Sequence, residues 1–253
     1  MKSASSLPGK QTLTIDEQPL TIDQALGLAV EHHNAGQRPK AKSVYQQVLR
    51  ANPNQHVALH LLGLIRHQME NHSDAIDLIL KSLVIKPDYT EAHNNLGNIF
   101  QELGRMDEAV ASYHKALAIK SDYAEAHNNL GLARRALGKL EEAVTSFQKA
   151  LAIKPDYAVA HNNLGLALWN LGKLDEAVAS YHKALAIKPD YAEAHNNIGN
   201  AFTDLGRLDE AVTRSCQTNA NQSLCSMNVV GLCSTKLTPL GESSVALKFE
   251  IIS

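Results

Sequence analysis

The stretch AEAHNNLGLA, residues 124–133, sets two adjacent asparagines inside an apolar pattern that otherwise reads as a helix, although asparagine is a weak helix former. Nearly the same words stand at Glu91–Asn98 (EAHNNLGN), Ala158–Leu166 (AVAHNNLGL) and Ala192–Asn200 (AEAHNNIGN). His93, His127, His161 and His195 therefore recur 34 residues apart. A fixed period of this length marks an array of stacked units rather than one globular core.

Outward from these words, Pro19, Pro53, Pro87, Pro155 and Pro189 fall on the same grid, with Ser121 at the vacant node. Units therefore run 19–52, 53–86, 87–120, 121–154 and 155–188, and a sixth begins at 189. Comparing 121–154 with 155–188 leaves 25 of 34 residues identical, so these copies must share one shape. Within 121–154, Ala126, Leu130, Ala133, Arg134 and Leu137 form one helical stripe and Ala143, Phe147, Ala150 and Leu151 a second. Gly138, with Gly104, Gly172 and Gly206 at equivalent places, separates the two helices where a positive φ is needed. Gly97, Gly131, Gly165 and Gly199 lie inside the first helix at about 1 kcal/mol against alanine, which predicts a close neighbour with no room for a β-carbon. Asp88 with Glu91, Asp122 with Glu125, and Asp190 with Glu193 have the spacing of a capping box and predict the helix start.

This 34-residue helix pair, with Leu-Gly followed by small and aromatic residues and a proline at fixed offsets, resembles the tetratricopeptide repeat. The resemblance implies an all-α, right-handed superhelical solenoid of helix-turn-helix units, with the first helix of each unit on the concave side. It covers 87–188 as three well-matched units, 189–212 as an incomplete sixth, and 19–86 as two degenerate units that lose the His-Asn-Asn triplet and carry Glu70 for the turn glycine. Residues 1–18 read as an N-terminal extension. After Val212 the register is lost, and 213–253 read as a divergent tail, either poorly ordered or the product of an interrupted reading frame.

On the helical wheel the asparagines fall opposite the apolar stripe, where they face solvent or a partner. Stacking turns Asn95, Asn129, Asn163 and Asn197 into a ladder with rungs about 10 Å apart. A carboxamide both donates and accepts, so such a ladder can hold the backbone of an extended peptide whatever its side chains. The alternative is that the second asparagine bonds to the neighbouring unit as structural cement. The EAHNNLG words resemble the arrays of O-linked N-acetylglucosamine transferases, and that resemblance implies peptide contacts at these four residues. Leu61 and Gly27 stand at the matching places in the first two units, so the ladder has only four rungs. The expected groove comprises these four with Asn94, Asn128, Asn162, Asn196, Asn98, Asn200, Arg135 and Trp169, the last a candidate anchor for a ligand side chain.

No metal site is expected. His93, His127, His161 and His195 come from separate units about 10 Å apart, too far for nitrogen bonds of about 2.0–2.1 Å to one ion, and His32 and His33 point apart on one helix. Tyr89, Tyr123, Tyr157 and Tyr191 are assigned to packing between units. Cys216, Cys225 and Cys233 match neither a zinc spacing nor a disulfide framework and read as free thiols. A net charge of -2 argues against nucleic acid and anionic membranes. With no apolar run suited to a signal peptide or membrane span, the expected location is cytoplasmic.

No nucleophile, phosphate-loop or dinucleotide motif is present, so neither catalysis nor a cofactor is expected. The leading expectation is a non-catalytic scaffold holding an extended protein segment in its concave groove. The other is the substrate-recruiting arm of a glycosyltransferase or sulfotransferase, because residues 21–65 resemble the opening of bacterial proteins in which such an array precedes that domain.

Overall fold

The computed structural model describes residues 12–15 and 18–206. The tail 213–253 with its three cysteines, and residues 207–212 of the sixth unit, lie outside the described residues. Eleven helices are described, as five pairs and a last single helix. The pairs are α1 (Ile22–Asn34) with α2 (Arg38–Ala51), α3 (His56–Gln68) with α4 (His72–Ile85), and α5 (Thr90–Glu102) with α6 (Met106–Ile119). They continue as α7 (Ala124–Ala136) with α8 (Leu140–Ile153) and α9 (Ala158–Asn170) with α10 (Leu174–Ile187), before α11 (Ala192–Asp204). Each second helix packs against the first helix of the next unit. Successive first helices also approach one another, α3 to α5, α5 to α7, α7 to α9 and α9 to α11, and no pair of successive second helices comes comparably close. The stack therefore curves with its first helices on the inside.

Each turn closes with one motif. The Arg105 N–H donates to the Phe100 carbonyl at 2.8 Å and the Gly104 N–H to that of Gln101 at 3.0 Å, which satisfies two carbonyls at the end of α5. Lys139 with Gly138 and Lys173 with Gly172 repeat it. The turn glycines have φ near +73° to +75°, and Glu70 takes the same conformation at φ 61° despite its β-carbon. The glycines inside the first helices answer to the aromatic of their own second helix. A β-carbon on Gly97, Gly131 or Gly165 would lie 2.5, 2.6 or 2.4 Å from Tyr113, Phe147 or Tyr181. The core is accordingly a chain of clusters. Alanines such as Ala126, Ala133, Ala143 and Ala150 are fully buried, because small side chains let the helices approach.

Two expectations change. The capping boxes at Asp88, Asp122 and Asp190 do not form: the N-cap falls one residue later, on Tyr89, Tyr123 and Tyr191, with no side-chain cap hydrogen bond. The loop is held by the histidines instead. Nε2–H of His93, His127, His161 and His195 donates to the node carbonyl of Pro87, Ser121, Pro155 and Pro189 at 2.9–3.0 Å. A capping box does form at Thr21 and Gln24, ahead of α1. The N-terminal extension also holds an element the helical period could not show. β1 (Thr12–Ile15) and β2 (Gln18–Thr21) form an antiparallel pair, with Thr14 opposite Pro19. Ile15 is buried, and Leu13 and Leu20 pack against the core of the first unit, so the hairpin covers an end that would otherwise expose its apolar side.

Candidate functional site

The ladder of asparagines exists, but its rungs join the repeats. Nδ2 of Asn197 donates to Oδ1 of Asn162 at 2.9 Å, Asn163 to Asn128 at 3.0 Å, and Asn129 to Asn94 at 3.4 Å and to Asn98 at 3.0 Å. Asn128 in turn donates to Asn129 Oδ1 at 3.3 Å. Where the asparagines were expected to face the groove, Asn94, Asn128, Asn162 and Asn163 are buried, Asn95, Asn129 and Asn197 are partly buried, and Asn196 is exposed. The physical reason is the tight approach of successive first helices, which turns the wheel face next to the apolar stripe into a seam. An amide there must find a partner, and the neighbouring amide is one.

A fourth rung has a partner that sequence reasoning missed. Asn95 Nδ2 lies 3.0 Å from His60 Nε2, and His60 occupies the place of Asn94 one unit earlier. Since Nδ2 only donates, His60 Nε2 must accept, which leaves the proton on Nδ1, 3.0 Å from the Tyr89 hydroxyl. His60 is 2% exposed, and burial pushes its pKa down to about 4. Exact counting on the 34-residue grid would have found it. Tyr89 packs edge-on against His56 and His60, while Lys120, Lys154 and Lys188 lie 5.0–5.3 Å over the rings of Tyr123, Tyr157 and Tyr191.

One turn beyond the seam, two rows of equivalent residues form the floor of the inner face: Asn98, Leu132, Leu166 and Asn200, then Gln101, Arg135, Trp169 and Thr203. Their commitments differ along the array. In the third unit the Tyr113 hydroxyl rises from below with its one O–H between two acceptors, Asn98 Oδ1 at 2.8 Å and Gln101 Oε1 at 3.1 Å. In the fourth, Phe147 has no hydroxyl and Arg135 is partly buried. In the fifth, the Tyr181 hydroxyl is buried without a partner, Leu166 and Trp169 having replaced both acceptors. Trp169 Nε1–H donates to Asp204 of the next unit at 2.7 Å, and its ring packs against the local core. Asn200 is exposed. The structure thus brings together Asn98, Arg135, Trp169 and Asn200 on the floor and moves the paired asparagines into the joints.

Away from this face, a cavity of about 650 Å³ lies among α4, α5 and α6, with Leu80, Leu83, Val84, Leu96 and Ile119 in its walls. Among the described residues no group of three or more histidines, cysteines or acids could hold a metal ion. None of the described helices is long and apolar enough to cross a membrane.

Family models described as TPR repeat match residues 97–134, 131–172 and 170–206, and one described as tetratricopeptide repeat matches 26–90. Among solved structures, MamA is 29% identical, with a TM-score of 0.59 over 66% of this chain and 97% of that one. PilW, a type IV pilus biogenesis factor, reaches a TM-score of 0.75 at 23% identity, covering 83% of this chain and 98% of its own. YrrB, described as a TPR protein with an unusual peptide-binding site, has a TM-score of 0.60 at 18% identity over 74% of this chain and 97% of that one. No curated protein matches the chain.

Proposed function

The chain belongs to the tetratricopeptide repeat proteins, and from that premise we propose that it is a non-catalytic scaffold whose inner face holds an extended segment of a partner protein. The observation that carries this reading is the floor itself. Four successive first helices carry side chains at two fixed register positions along the inner side of the stack, and two of the polar ones, Arg135 and Asn200, make no hydrogen bond among the described residues. Such a face suits an extended chain, whose length matches the run of units and whose side chains meet a different floor residue at each step. The seam amides contribute by fixing the curvature. Each rung is worth about 1 kcal/mol net, and together the rungs hold the floor residues in register. Peptide binding is described for YrrB, which shares the fold.

The test uses the full chain: Trp169→Ala and Leu166→Ser, both on the floor, should weaken capture of a partner segment at least tenfold with the helical circular dichroism unchanged. Retained capture by both variants would move binding off the inner face. The repeated EAHNNLG words support a second reading, in which the array recruits substrate for a glycosyltransferase or sulfotransferase. A catalytic domain of that type encoded with it would favour this reading, and an unrelated genetic neighbourhood would remove it. On either reading the chain itself performs no chemistry and works in the cytoplasm.

A further inference from the structure

The turn between α3 and α4 departs from the other turns of the array. Gly36, Gly104, Gly138, Gly172 and Gly206 supply the positive φ elsewhere, and here Glu70 takes it at φ 61°. Two histidines flank that turn, His67 in the last turn of α3 and His72 at the first position of α4. No other unit has a histidine at both places: Gln101, Arg135 and Trp169 stand at the register of His67, and Met106, Leu140 and Leu174 at that of His72. Residues five apart do not share a face of one helix, so it is the break between α3 and α4 that brings this pair together. Their Nδ1 atoms lie 2.9 Å apart, with the rings tilted at 54°.

The protons on the pair follow from its neighbours. His67 Nε2 lies 2.8 Å from Glu102 Oε2 at the end of α5, and an ionised carboxylate only accepts, so Nε2 carries a hydrogen. That bond fixes the His67 ring with its Nδ1 toward His72. It has a counterpart in Trp169 and Asp204, 35 residues apart like His67 and Glu102, and so belongs to the joints of the stack. What Trp169 lacks is a second ring nitrogen. At His67 that second nitrogen meets another, and the contact holds one proton between two ring nitrogens. A carboxylate that accepts from the far nitrogen is also the support that metal-binding histidines receive.

The spacing narrows the ion. Two metal–nitrogen bonds of about 2.0–2.1 Å span about 2.9 Å at a right angle and about 3.4 Å at the tetrahedral angle. The pair already has the shorter separation. It therefore suits adjacent corners of a square-planar or octahedral ion, Cu²⁺ or Ni²⁺, rather than the tetrahedron of zinc. We propose that His67 and His72 form a two-histidine site for Cu²⁺ or Ni²⁺ at the turn between α3 and α4, with Glu102 orienting His67 and water at the remaining corners. Two protein ligands, not three, are in keeping with the lack of any larger ligand group among the described residues. The ion sits off the line between the nitrogens and replaces the proton on it, which moves to the far nitrogen of His72 or to solvent. His72 is partly buried and makes no other hydrogen bond among the described residues, so its ring is free to swing toward the ion. Glu70, exposed on the same turn, adds negative charge there. Because His67 lies at the end of α3 and Glu102 at the end of α5, an ion here pins the joint between the second and third units.

The array supplies the variants, since Gln101 and Met106 occupy the two places in the third unit: His67→Gln, His72→Met and both together. The full chain and its variants, with helical circular dichroism as the check on folding, are stripped with chelator and titrated with copper(II), nickel(II) and zinc chlorides. The tightest Cu²⁺ should be held by the full chain at least tenfold more strongly than by the double variant, with each single variant losing most of that difference, and nickel should be held ahead of zinc. Electron spin-echo modulation of that Cu²⁺ should show two imidazoles in the full chain and at most one in either single variant. Glu102→Ala should weaken binding about tenfold and leave the count of imidazoles at two, as expected of a positioning residue. Copper affinity unchanged in the double variant would assign the ion to other groups of the chain and overturn the inference, as would a single imidazole in the full chain. Zinc held more tightly than nickel would overturn the right-angle geometry and with it the choice of ion.

Discussion

The seams and the floor of the inner face are built from neighbouring turns of the same helices, yet they behave in opposite ways. At the seams the same bond recurs four times, and the only change of residue, His60 for asparagine, keeps an acceptor in place. One turn away, one row of the floor reads Gln101, Arg135, Trp169 and Thr203, with no two alike, and the other alternates between asparagine at 98 and 200 and leucine at 132 and 166. A seam must satisfy the same buried geometry at each joint, so the repeat keeps its solution. A floor residue meets solvent or a ligand and is free to differ. In this array the repeating residues hold the stack, and the differing ones are where recognition is to be sought.

The largest expected effect breaks the equivalence of the rungs with acid. Above pH 6.5 His60 is neutral in both the folded and the unfolded chain and adds no pH dependence. As pH falls through 6.5 the unfolded chain takes up a proton that the folded one refuses until about pH 4, so stability is lost across that window. The loss is about 3 kcal/mol at most, concentrated in the second and third units. Amide exchange of α3 and α5 against pH measures it, and His60→Asn, which restores an asparagine rung, should flatten that response. If the variant keeps the full acid loss, His60 is not its source.

Next in size is a cut at one asparagine seam. Asn128→Ala removes the acceptor of Asn163 inside the joint and should cost about 2 kcal/mol in urea unfolding. A loss below a few tenths would mean that the rung contributes nothing and that the asparagines are free for ligand after all. Smaller again, Tyr113→Phe should cost about 1 kcal/mol because it deletes an O–H shared between two acceptors, whereas Tyr181→Phe should be neutral or slightly stabilising because its hydroxyl has none. Equal costs would erase the distinction between the two parts of the floor. Last, Glu70→Gly should stabilise by up to about 1 kcal/mol by relieving a left-handed residue with a β-carbon, read as a rise in the urea midpoint.

Much of the fold was legible because it is periodic. The 34-residue grid, the turn glycines and the alanine and aromatic stripes each report a local requirement that recurs, so the helix pairs, the positive φ at Gly104, Gly138 and Gly172, and the close approach at Gly97, Gly131 and Gly165 follow from residue types alone. The hairpin at residues 12–15 and 18–21 occurs once, in a segment with no helical period, and could not be read that way. The helix starts were misread for a related reason. Asp88 and Glu91 have the right spacing, but the His93 bond to Pro87, six residues away, fixes the loop, and the N-cap falls on Tyr89.

The sequence by itself determined that this chain is a stack of near-identical helical hairpins, because identical local patterns must give identical local shapes. Only the tertiary structure decided what the asparagines do. A helical wheel places Asn128 and Asn129 off the apolar stripe but carries no information on how closely the next unit approaches, and that approach turns an open face into a joint. It also decided that the Tyr113 hydroxyl is satisfied while that of Tyr181 is buried without an acceptor, since that depends on which side chains meet between the two helices of a unit rather than on any residue alone.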